Sequence, residues 1–140
     1  METSDVRKRL NEIIDRAKRR DAERRVRHDR AAAEYDAFLE ATAVPLFRQV
    51  AGALKASGYP FTVFTPGGSV RLSSDRKPED YIELSLDSSP IEPVVMLRSS
   101  RARGGRIVER EQPIGEHPRA LTDQQILDAI LEELEAYLGR

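Results

Sequence analysis

Residues 81–87 read Tyr-Ile-Glu-Leu-Ser-Leu-Asp, an alternation of apolar and polar side chains that predicts a strand with one face buried and the other in water. Ile82, Leu84 and Leu86 share the first face, and Glu83, Ser85 and Asp87 share the second. Upstream, residues 61–65 and 69–73 are β-prone runs on either side of Pro66-Gly67-Gly68, the pattern of a hairpin. Downstream, residues 94–99 and 106–111 flank Arg101-Ala102-Arg103-Gly104-Gly105 and predict a second hairpin with a flexible, arginine-rich tip. Every connector is too short to hold a crossover helix, so the middle of the chain predicts an antiparallel meander of four or five strands.

Helices bracket this sheet. After a loop at 113–120, Thr122 and Gln125 have the spacing of a capping box. Ile126, Leu127, Ile130, Leu134 and Leu138 then trace the apolar face of a C-terminal helix expected to pack on the sheet. Before the sheet, Leu46, Phe47, Val50 and Leu54 form the stripe of a second helix that Pro45 opens and Gly58 stops. Tyr35, Phe38, Leu39 and Thr42 lie on one face of the helix that precedes it.

That first helix is the unusual part. Val6, Leu10, Ile13 and Ala17 recur at spacings of four, three and four, and Ile14 widens the stripe. Thr3, Ser4 or Asp5 is the expected cap. Continuing the register brings Arg20, Arg24 and Arg27 onto the same face, and three arginines are not buried together without partners, so the seam ends near Ala17. From there to Arg30 nearly every residue is charged, and pairs such as Asp15/Arg19 and Asp21/Arg25 have the spacing that supports an exposed helical rod. The fold class expected is therefore α+β: a long N-terminal helix, a second helix, the meander and the C-terminal amphipathic helix. The organisation expected is an exposed charged extension at 1–30 and a compact domain at 31–140.

With 140 residues, 39% of them hydrophobic and 34% charged, the chain is long enough to bury a core, and part of it must be strongly solvated. Cysteine is absent, which excludes disulfides and thiolate metal sites. No run approaches a membrane span, and the polar start METSDVRKRL lacks the apolar core of a signal peptide, so the expected location is cytoplasmic with no membrane contact.

The net charge of −1 hides a segregation. Residues 1–30 carry eleven Lys/Arg against seven Asp/Glu, and residues 98–120 carry six Arg against three Glu. Residues 61–97 carry three basic against six acidic side chains, and residues 121–140 one Arg against five acids. Two basic regions thus have two acidic regions to meet, within one chain or between copies.

Catalytic patterns are sparse. His28 beside Asp29 reads as a solvated imidazole on a charged helix, and Glu116-His117 lacks a second metal-ligating neighbour and is followed by Pro118. Glu83 and Asp87 on the outer strand face read as solvating acids, and Pro66-Gly67-Gly68-Ser69 reads as a turn because it lacks the Lys-Ser/Thr and the following helix of a phosphate loop. No metal, cofactor or enzymatic activity is expected.

The leading expectation is an interaction or assembly module, an adaptor docking through Val6, Leu10, Ile13 and Ala17 to its own copy or to a larger protein partner, coiled-coil fashion. The alternative is a nucleic-acid-binding accessory using Arg19, Arg20, Arg24, Arg25 and Arg27 with Arg101, Arg103 and Arg106 at the 101–106 hairpin tip. Acids interleaved along the rod, and a sequence pI near 6.2, make any such binding weak. An enzyme or small-ligand binder comes third, since no residue set points to a reaction.

Overall fold

A computed structural model describes residues 2–89, 92–115 and 118–138. The order is α1 (Thr3–Phe38), a π-helical turn (Leu39–Ala43), α2 (Val44–Ala56), β1 (Phe61–Phe64), β2 (Ser69–Ser74), β3 (Tyr81–Asp87), β4 (Val94–Arg103), β5 (Arg106–Gly115), a 3₁₀ turn (Pro118–Ala120) and α3 (Asp123–Leu138). The fold is α+β, with one five-stranded antiparallel sheet in the sequential order β1-β2-β3-β4-β5.

At 36 residues, α1 is about 54 Å long at a rise of 1.5 Å per residue. None of the three expected residues caps it: Glu2 holds the cap position without a side-chain hydrogen bond, and Asp5 sits in the first turn, where its charge complements the helix dipole. In the rod, Asp21 pairs with Arg24 at 3.2 Å, three residues on.

The expected break before Pro45 is a π turn, so the backbone stays helical from Thr3 to Ala56. Proline has no N–H and its ring crowds the carbonyl four residues back; one wider turn accommodates both without ending the helix. At the other end of α2 the Gly58 amide donates to Lys55 and the Tyr59 amide to Leu54 at 2.8 Å. Gly58 takes the positive φ that this paired closure needs.

Strands β4 and β5 run further than the alternation alone indicated. Gly104 and Gly105 both have positive φ, forming a two-residue connection that matches the twist of the strands. Pairing therefore continues to Arg103 opposite Arg106, and Arg101 and Arg103 belong to a strand instead of a flexible loop.

One face of the sheet carries the core. Val70, Leu72, Ile82, Leu84, Val95 and Leu97 are buried there against Phe47, Val50 and Leu54 of α2 and Ile126, Ile130 and Leu134 of α3. Helix α2 lies over β1 and β2, and α3 over β4 and β5. Tyr35 and Phe38 bring the last turn of α1 into this core, where the Tyr35 hydroxyl donates to the Leu84 carbonyl at 3.3 Å. The capping box of α3 is reciprocal: the Gln125 amide donates to the Thr122 hydroxyl at 3.2 Å, and the Thr122 amide to the Gln125 side chain at 2.9 Å.

Candidate functional site

Three surfaces emerge, and the first is the seam on α1. The continuous helix brings Val6, Leu10, Ile13 and Ala17 onto one face with Ile14. Val6 is 50% exposed and Leu10 and Ile13 are each 53% exposed, values that belong to side chains nothing covers. From residue 2 to residue 30 no side chain of the helix is buried.

Arg19, Arg20, Arg24, Arg25 and Arg27 are exposed further along the same rod. At 100° per residue Arg20, Arg24 and Arg27 share a side, while Arg19 and Arg25 point elsewhere, so the five do not form one stripe.

The second surface is an apolar groove of about 670 Å³ between α2 and α3. Leu46, Val50, Ala53 and Leu54 form one wall, Leu127, Leu131, Leu134 and Leu138 the other, and Tyr59 closes an end. Leu131 is 50% exposed and Tyr59 41%. The groove exists because the two helices stand over opposite halves of the sheet, and each has an apolar stripe wider than the sheet can bury. The charged side chains exposed on α3 next to it are acidic: Glu135 lines the groove, and Asp128 and Glu132 lie beyond it. On the α2 side the rim is Gln49 and Ser57, without charge.

The third surface is where the basic hairpin meets α3. Glu133 is buried and accepts from the Ser99 hydroxyl at 2.8 Å and from Gln112 at 3.4 Å, with Arg110 3.6 Å away. Arg101 lies over the Tyr137 ring with its guanidinium carbon 5.9 Å from the centroid, and donates to the Ala136 carbonyl at 3.4 Å. The hydroxyl of Tyr137 is directed at the carbonyls of Tyr81 and Ser100, at 2.9 and 2.5 Å. Burial, then the nearby Asp80 charge, pushes this phenol well above its usual pKa. Of the three arginines expected at the tip, Arg101 is thus folded onto α3, while Arg103 and Arg106 stay exposed.

The outer face of the sheet is occupied by its own ion pairs. Glu83 accepts from Arg71 at 3.0 Å and from Ser69 at 2.7 Å, Arg71 stacks 3.9 Å from the Tyr81 ring centroid, and Arg98 pairs with Glu111. Asp87 accepts from both the hydroxyl and the amide of Ser89, which hold its carboxyl below the usual range. Ser69 closes the Pro66-Gly67-Gly68 turn by donating its amide to the Pro66 carbonyl at 2.8 Å. His28 lies on the exposed rod, whereas Glu116 and His117 lie outside the described residues. Among the described residues, no group of three or more His, Asp or Glu is placed to hold a metal, and no helix is long and apolar enough to cross a membrane.

Comparison with known protein families, with curated proteins and with solved structures finds no match. The groove is not evident in the α3 stripe read from the sequence, which omits Leu131. Its spacing of four from Leu127 and three from Leu134 was the available signal.

Proposed function

We propose that this protein is a non-enzymatic interaction and assembly module that docks through the N-terminal part of α1 to its own copy or to a larger protein. The observation that supports this is the seam itself: four large aliphatic side chains on one face of a helix, each at least 39% exposed. Covering them would contribute roughly 1 kcal/mol apiece, with about as much again from the apolar surface that meets them, a gross gain that association and ordering costs reduce to a weak contact on the order of 0.1–1 mM. A solvated rod has no use for such a stripe; its charged continuation at 18–30 remains helical without one.

The test is L10D/I13D in the full chain, read by light scattering and by affinity capture from native lysate. The reading expects lower mass or loss of a captured partner while the melt of the body is retained. Unchanged mass and unchanged capture together would refute it.

The basic excess of residues 1–30 on an exposed helix supports a second reading, weak phosphate-backbone binding. The arginines' distribution around the rod and the folding of Arg101 onto α3 both weigh against it.

A further inference from the structure

We infer that the α2–α3 groove is the receptor for the α1 seam of a second copy of this chain, so that the module assembles by a helix-in-groove contact between copies. This rests on the reading above, that the seam docks, and adds what it docks into.

Three observations converge on this occupant. The first is size. The seam runs from Val6 to Ala17 and the α3 wall of the groove from Leu127 to Leu138, each twelve residues, or about 17 Å of helix from first to last. Both surfaces are apolar, the seam half-exposed and the groove floored by buried Val50, Leu54 and Leu134 with Leu131 and Tyr59 exposed at its edge, and the i, i+4, i+7 anchors of the seam are what a two-helix groove takes up.

The second is charge. By helical spacing the seam is flanked by Arg7 and Lys18 on one side and by Arg9 and Arg16 on the other, with Arg20 and Asp21 continuing its line past Ala17 and Asp5, Glu12 and Asp15 farther round. The groove offers Glu135 on one rim, with Asp128 and Glu132 exposed on the same helix beyond it, and uncharged Gln49 and Ser57 on the other. Seating the seam there sets cations against acids. Pairing two seams with each other would set arginines against arginines, which disfavours a simple α1–α1 coiled coil. The buried acid of this helix, Glu133, is already engaged by Ser99, Gln112 and Arg110 within the chain. The basic hairpin thus meets α3 internally, and it is the N-terminal basic region that still has an acidic surface to meet.

The third is reach. α1 is continuous to Phe38 and first enters the core at Tyr35, so Ala17 lies about 27 Å along the axis from the point where the helix enters the body. A chain cannot place its own seam in its own groove without breaking α1. A neighbour can.

The test is complementation in full-length protein, by light scattering and sedimentation. At about 100 μM, where a contact of this class is populated, the unmodified chain should self-associate. L10D/I13D (seam) and L131D (groove) should each weaken association at least tenfold, and an equimolar mixture of the two should form a one-to-one complex, because one intact seam then meets one intact groove. Leu131 is half-exposed, so the charge stays in water in the monomer; D128K/E135K changes only exposed groups and should weaken association as well. Association of L131D and D128K/E135K equal to that of the unmodified chain, or a mixture that stays monomeric, overturns the inference. A chain that is monomeric yet captures another protein through an intact seam also overturns it and leaves the assembly reading standing. If L10D/I13D changes neither mass nor capture, the assembly reading itself fails.

Discussion

The hydroxyl of Ser99 donates to the carboxylate of Glu133 at 2.8 Å, tying the acidic C-terminal helix to the basic hairpin beneath it. Both residues are almost fully buried, and a buried polar group left without its partner costs its desolvation. Glu133→Leu should therefore destabilise the protein by about 2–3 kcal/mol, because Ser99 and Gln112 lose an acceptor together. Glu133→Gln, which keeps an oxygen acceptor, should lose less. Urea denaturation followed by circular dichroism compares them; equal stability of all three forms would show that this link contributes nothing.

Phe47 and Leu10 are both large and apolar, and the account gives them opposite weights. Phe47 is fully buried between α2 and the sheet, so Phe47→Ala should cost about 3–5 kcal/mol through lost transfer energy and the cavity left behind. Leu10→Ala should leave the unfolding free energy of the dilute monomer within about 0.5 kcal/mol. A large loss for Leu10 at low concentration would place the seam inside the folding unit.

Residues 31–140 should fold without the rod. The core draws on α1 only at Tyr35 and Phe38, so a chain starting at Ala31 should retain a cooperative melt within a few degrees of the full protein. A molten or insoluble fragment would show that the extension belongs to the core.

The two buried phenols set an alkaline limit. Burial, with Asp36 and Glu83 adding to it, raises the pKa of Tyr35, and burial followed by Asp80 raises that of Tyr137. A folded-state pKa above the unfolded value means a contribution that is complete below about pH 10 and lost as pH rises beyond it. Denaturant midpoints should fall above about pH 10, and Tyr137→Phe should flatten that fall while costing about 1 kcal/mol at neutral pH for the hydrogen bonding lost. A midpoint indifferent to alkali would contradict the buried placement.

The meander was legible in the sequence because alternation and turn residues are local: 81–87 matches β3, and the Thr122/Gln125 box opens α3 as its spacing indicates. The π turn was not legible, since Pro45 reads equally as a break or as a strained continuation, and only packing of Tyr35, Phe38 and Phe47 in a single core decides for continuity. In the sequence Arg101 reads as part of a free tip, because strand extension through Gly104-Gly105 and the Tyr137 ring that receives the guanidinium are long-range facts. The seam was legible in full as a periodicity; the groove was not, because its two walls lie about eighty residues apart, and Leu131, the one local sign of a surplus on α3, gains meaning only once α2 stands beside it.

Amide hydrogen exchange along α1, followed as protein concentration rises, tests most directly whether the N-terminal helix is a docking element. If it is, amides at 6–17 become protected as association proceeds, those at 18–30 remain comparatively fast, and L10D/I13D abolishes the difference. If 6–17 exchange as rapidly as 18–30 at every concentration and in the presence of native lysate, the seam is an idle solvated stripe and the account fails.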